Sequence, residues 1–112
     1  MKKDKKEERK KEIVDKVLFA LNHKVRMEIL IYLYEKKSAA FGDLRTNLNL
    51  NSNTLSFHLD KLKKAFLVDQ KEKGGLYRLK ELGETMTYPF YCLLREGGLD
   101  KILEQVLNSK QR

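Results

Sequence analysis

The run Asn51-Ser52-Asn53-Thr54-Leu55-Ser56-Phe57-His58-Leu59-Asp60-Lys61-Leu62-Lys63-Lys64-Ala65 decides the fold. Leu55, Leu59 and Leu62 recur at helical spacing on one side, while Asn53, Thr54, Ser56, Phe57, Asp60, Lys61 and Lys64 fall on the others. Asn51 or Ser52 can accept hydrogen bonds from the free amides of a first turn, so the run predicts a capped helix from Asn53 to Ala65. One face suits a core. The free face carries short amide and hydroxyl groups near its N-terminal end, which can approach base edges in a major groove or phosphate oxygens, and lysines follow. Taken alone, these residues also fit a merely solvated helix face. Phe57 tips the balance, because two residues after Leu55 it cannot share the buried stripe. Against DNA its ring could touch a thymine methyl or a sugar; it could also pack sideways on the hairpin that follows.

That hairpin is read from Leu67-Val68-Asp69-Gln70-Lys71 and Leu76-Tyr77-Arg78-Leu79, two strand-like runs separated by Glu72-Lys73-Gly74-Gly75. The glycines permit the positive φ of a tight turn. Lys71, Lys73, Gly74 and Arg78 would form a narrow basic loop able to meet phosphates or a minor groove. Before the decisive run, Asp43 with Leu44 and Leu48 marks a short helix that stops near Asn49. Val25, Ile29, Leu30 and Leu33 define a helix from about His23 to Lys36, with Asn22 as its expected cap, and Ile13, Val14, Val17, Leu18 and Leu21 define another from Glu8 to Leu21. After Gly83 the chain turns helical again. Pro89 suits a first helical turn, Gly97-Gly98 ends that helix, and Leu99, Ile102, Leu103, Val106 and Leu107 give the next one an apolar stripe.

Short helix, tight turn, polar-faced helix and basic hairpin complete a geometry in which helix and wing engage neighbouring grooves. The expected fold class is mostly α with a small β-hairpin wing: a winged helix-turn-helix with extra N- and C-terminal helices. Leu21-Asn22-His23-Lys24-Val25-Arg26-Met27-Glu28-Ile29-Leu30, Asp43-Leu44, Thr54 to Leu62, Leu67-Val68 and Leu76-Tyr77-Arg78-Leu79 together resemble the ArsR-type winged-helix transcriptional regulators. The most specific piece is Ser-x-His-Leu-x-x-Leu at Ser56, His58, Leu59 and Leu62, and the likeness covers roughly Leu18 to Gly83. It implies a recognition helix at Asn53 to Ala65, a wing at Val68 to Leu79, and a homodimer on a roughly palindromic site. Phe66 stands where such regulators usually have glycine, so the turn into the wing is expected to differ. The cysteine pair that metal-sensing members carry in or near the recognition helix is missing, so metal sensing is not expected.

The chain of 112 residues fits one compact domain with frayed ends. Its net charge of +8 favours an anionic partner, and Met1 to Lys11 holds seven basic and three acidic residues. We read 1–11 as a basic flexible tail, whether a phosphate-seeking arm, a membrane-surface segment or a solubilising end; 12–83 as the winged helix-turn-helix; and 84–112 as C-terminal helices for dimerisation. No run approaches the roughly 20 apolar residues of a bilayer span and no signal peptide is visible, so a cytoplasmic protein is expected. Cys92, the single cysteine, lies among Phe90, Tyr91, Leu93 and Leu94 and reads as a structural thiol.

His23 and His58 lie in separate elements without a recognisable ligand set, so both read as structural, with His58 orienting its helix or bonding locally. Gly74-Gly75 and Gly97-Gly98 are in the wrong context for a phosphate loop, and no nucleophile has a paired base; neither an enzyme nor a cofactor is expected. Tyr88, Phe90 and Tyr91 read as core in preference to an effector pocket. Val14, Val17, Leu18, Leu99, Ile102, Leu103, Val106 and Leu107 are the expected dimer residues, although the C-terminal stripe could instead fold back on Ile13 to Leu21. The reading is a sequence-specific regulator of double-stranded DNA that uses Ser52, Asn53, Thr54, Ser56, Phe57 and Lys61 with the wing. The alternative is an architectural or protein-interaction module without sequence preference.

Overall fold

In the computed structural model, residues 2–95 and 98–110 are described, with side chains described for 5–95 and 100–109. Six helices and one hairpin follow in order: α1 (Lys2–Leu21), α2 (Lys24–Lys36), α3 (Phe41–Asn47), α4 (Ser52–Lys64), β1 (Val68–Gln70), β2 (Tyr77–Leu79), α5 (Glu81–Arg95) and α6 (Gly98–Lys110). Periodic apolar residues make the core. Ile29, Leu30 and Leu33 of α2, Leu44 of α3, and Leu55, Leu59 and Leu62 of α4 are fully buried together with Leu67 and Val68 at the root of the hairpin. Such a core follows from the stripes, because each helix has one apolar face and three of them converge. Among the described residues no helix is long and apolar enough to cross a membrane.

Two helix ends close in the same way. After α3, Asn49 adopts φ 53°, Leu50 N donates to Arg45 O (2.9 Å) and Asn49 N to Thr46 O (3.3 Å). This paired bond pattern satisfies the last carbonyls and reverses the chain within a few residues. After α4, Phe66 adopts φ 63°, Leu67 N donates to Leu62 O and Phe66 N to Lys63 O, both at 3.1 Å. Phe66 therefore adopts the left-handed conformation that a glycine would take without strain, at a cost of about 1 kcal/mol.

The hairpin pairs Val68 with Leu79, Asp69 with Arg78 and Gln70 with Tyr77, antiparallel. Ala39, just before α3, adds a bridge to Tyr77 in both directions (3.0 and 2.8 Å), which fastens the wing to the body. Val68, Tyr77 and Leu79 point inward and are buried.

Several boundaries differ from those expected. α1 reaches back to Lys2, so residues 2–11 are helical, with side chains 5–11 exposed. The cap of α2 is His23, whose Nδ1 accepts from Val25 N at 3.1 Å, and not Asn22. α5 starts at Glu81, before Gly83, so Pro89 lies inside it and not in its first turn. Pro89 deprives the Thr85 carbonyl of its helical donor, but both residues are exposed and water can serve instead. Gly97 lies outside the described residues, and Cys92 is half-buried. Tyr91 is half-buried with its ring tilted against that of Tyr34 of α2 at 4.8 Å between centroids; Tyr88 lies 6.2 Å from the same ring but is 50% exposed, and Phe90 is exposed as well, so neither of these two is core.

Gly83 fixes how α5 leaves the wing. A Cβ at this position would lie 2.1 Å from the Leu67 carbonyl oxygen, which already accepts from Lys80 N at 2.9 Å. Gly83→Ala must push α5 off the end of α4, and a loss of about 2–3 kcal/mol in urea denaturation is expected. A loss below about 0.5 kcal/mol would contradict this packing.

Candidate nucleic-acid interface

The recognition helix presents what its sequence separates. Asn51 Oδ1 accepts from Thr54 N at 2.9 Å and caps α4, which begins one residue earlier than expected, at Ser52. Ser52, Asn53, Thr54, Ser56 and Phe57 are all exposed, while Leu55, His58, Leu59 and Leu62 are buried. Four short polar side chains thus stand on the first two turns with their hydrogen-bonding groups free of the core. A rigid helix offering such groups can reach base edges and phosphates at little cost in side-chain entropy.

Phe57 is 53% exposed. Its ring has Lys61 Nζ at 5.4 Å and the Arg26 guanidinium at 5.9 Å from its centroid, and meets the His58 ring edge-on at 5.3 Å. Lys61 is half-buried in this contact. Lys64 is paired with Asp60 at 3.0 Å in the open, an ion pair of small value that DNA phosphates can displace. Lys63 lies over the Tyr77 ring at 5.8 Å, a link between α4 and the wing not foreseen from the sequence.

The wing tip is tight. Gly74 has φ 81°, Gly75 N donates to Glu72 O at 2.8 Å, and Gln70 Nε2 donates to Gly75 O at 2.9 Å. Lys71, Lys73 and Arg78 are exposed around it. Arg78 stands directly across the ladder from Asp69.

Most of the expected dimer residues are uncovered. Val14 and Leu18 of α1 are 53% and 57% exposed, and Ile102, Leu103, Val106 and Leu107 of α6 are 45–59% exposed. The Leu99 side chain lies outside the described residues. α6 does not bury its stripe on α1 within the chain: residues 100–109 are exposed throughout. Val17 is a correction, because at 4% exposure it belongs to the core of its own subunit, at the position where α1 rests on the body.

Sequence reasoning missed the group beside the cap of α2. Arg26 is buried, its Nε donates to His58 Nδ1 at 3.1 Å and its Nη1 to the Phe19 carbonyl at 3.2 Å. The His58 bond runs between helices and is not local. A signal was present: Arg26 falls at the spacing of Ile29, Leu30 and Leu33, inside an apolar stripe. The rings of His23 and His58 come within 4.4 Å although their elements are separate in sequence. Both Nδ1 atoms already accept hydrogen bonds, and among the described residues no group of three potential ligands could hold a metal ion.

Burial pushes the His58 pKa below its ordinary value, and the charges of His23 and Arg26 add to the shift. Neutral His58 accepts the Arg26 bond; a proton on Nδ1 would remove the acceptor and set a cation beside Arg26. The folded-state pKa is depressed, so this stability is present above about pH 6.5 and is lost as pH falls through the folded value. Melting temperature should therefore drop between pH 7 and pH 5, and His58→Asn, which cannot titrate, should drop less. Equal slopes for the two proteins would contradict the linkage.

Residues 14–88 match the model of a family described as a domain of unknown function, DUF7347. No curated protein matches the chain. Among solved structures, HlyU from Vibrio cholerae superposes with a TM-score of 0.66 and 26% identity, over 76% of this chain and 95% of that one. The transcriptional regulator HlyU from Vibrio vulnificus gives 0.63 and 28%, over 84% and 99%. The transcriptional repressor BigR from Xylella fastidiosa gives 0.64 at 23% identity, over 82% and 92%, a likeness of fold. The resemblance to ArsR-type winged-helix regulators thus holds in three dimensions. With the greater part of its length inside the family model, the chain belongs to the DUF7347 family, built on a winged helix-turn-helix fold.

Proposed function

We propose that this protein is a cytoplasmic, homodimeric transcriptional regulator that reads a roughly palindromic site in double-stranded DNA. The observation that carries the reading is the exposed N-terminal half of α4, where Ser52, Asn53, Thr54 and Ser56 stand free on a helix whose opposite face is locked in the core. In this reading those residues address base edges in the major groove, and Phe57 contacts a thymine methyl or sugar at the edge of the same surface. Lys61, Lys71, Lys73 and Arg78 supply the phosphate contacts, and Gly74 lets the wing tip approach the duplex. The similarity to HlyU of Vibrio vulnificus, named as a transcriptional regulator, supports the same function.

Dimerisation is supported by the apolar side chains left in water on α1 and α6. Val14, Leu18, Ile102, Leu103, Val106 and Leu107, with Leu99 continuing the stripe in sequence, would each gain about 1–2 kcal/mol on burial against a second subunit. A two-fold axis through that contact would set two copies of α4 about 34 Å apart, one turn of DNA.

Selection from a random duplex library at near-physiological salt, with the mass of the protein measured in parallel, tests the proposal. A dimer that recovers a palindrome is expected; unselective recovery would favour an architectural or interaction module. Lys73→Ala and Arg78→Ala should weaken binding to every duplex and lower the salt slope by about 1 each. Asn53→Ala and Ser56→Ala should instead cost about 1–3 kcal/mol on the selected site and change the preferred bases. Similar behaviour of the two sets would overturn this division of roles.

A further inference from the structure

Among the described residues Arg26 is the only cationic side chain that is buried, at 4% exposure, and no carboxylate accompanies it. Its partners are neutral: the His58 ring nitrogen in α4 at 3.1 Å and the Phe19 carbonyl in α1 at 3.2 Å. The Phe19 ring lies 5.4 Å and the Phe57 ring 5.9 Å from its charged carbon. α1 ends at Leu21, so the Phe19 carbonyl is one of the last that no amide of its own helix can reach, and a cation is favoured there by the helix dipole. Desolvating a guanidinium is costly, and an apolar side chain of similar length would fill the same space without that cost. What such a chain could not do is hold two helices at once by a planar fork. Lysine could not do so either, because its ammonium is a single point.

We propose that Arg26 and His58 are positioning residues that fix the recognition helix relative to α1, and through α1 set the half-site spacing that the dimer accepts. The inference rests on the dimeric reading above, in which Leu18, the residue before Phe19, lies on the subunit contact. The scale is sensitive. Each recognition helix would stand about 17 Å from the two-fold axis, and a rotation of about 10° of the body that carries α4 about its α1 contact near that axis moves the helix by up to about 3 Å, close to one base-pair step. A loose junction blurs spacing without removing a base or phosphate contact.

The test uses the selected palindrome and duplexes in which its half-sites are moved one or two base pairs closer or farther. Wild-type protein should prefer the selected spacing by about tenfold or more, the scale of one mismatched base pair. Arg26→Lys and His58→Leu should lose most of that preference while keeping the dimer mass, the binding to an isolated half-site and the salt slope. His58→Asn should restore it, since its Oδ1 takes the place of Nδ1 as acceptor. Phe19→Ala changes an exposed ring that flanks the guanidinium and should shift the preference in the same direction by a smaller factor. It keeps the test decisive if a buried variant does not fold. Retention of the wild-type spacing preference in the folded variants would overturn the inference alone. A wild-type protein that binds a palindrome regardless of spacing would overturn the dimeric reading together with it.

Discussion

Burial of Leu55, Leu59 and Leu62 is the constraint on which the rest of the molecule depends. These three residues lie on one side of a single helix and are removed from water by α2, α3 and the root of the wing, so the helix cannot rotate without exposing them. At about 1.5–3 kcal/mol for each buried leucine, the rotational setting of α4 is held by a term larger than any surface contact it makes. The opposite face is fixed by the same event. Ser52, Asn53, Thr54 and Ser56 are therefore presented by the core and not by contacts of their own.

The two turns that frame this helix use left-handed residues that are not glycine. Asn49 suits that conformation, because its short polar side chain tolerates it; Phe66 does not, and it holds the conformation through the paired bonds to Leu62 and Lys63 and through Lys80 lying 5.4 Å from its ring centroid. Immediately beyond, the Leu67 carbonyl receives Lys80 N and the bare Cα of Gly83. The end of the recognition helix, the return strand of the wing and the start of α5 thus meet at one point. At the other end, Arg26 joins the start of α2, the last turn of α1 and the middle of α4.

The sequence made α4 and the wing legible because their signals are local: a period near 3.6, an Asn before the helix, and paired glycines between two alternating runs. It also separated the exposed polar residues of α4 from the buried ones. Features set by tertiary contact were harder to read. Asn22 and His23 are adjacent and both can cap; His23 does so, and its ring lies tilted at 4.4 Å between centroids from that of His58, a contact no local pattern reveals. Val17 shares the stripe of Val14 and Leu18, and only the packing shows that it faces inward while they face outward. Pro89 looks like a helix start until Lys80 and Gly83 place that start further back. Arg26 was the clearest missed signal, a charge at the spacing of a core.

The most direct measurement of the central claim is methylation interference on the selected DNA site. Reading by α4 predicts that methyl groups on guanine N7, in the major groove, block binding in two segments about one helical turn apart, while methylation of adenine N3 interferes only where the wing lies in the minor groove. Binding that tolerates N7 methylation throughout the protected region would contradict the assignment of α4 as the reading element.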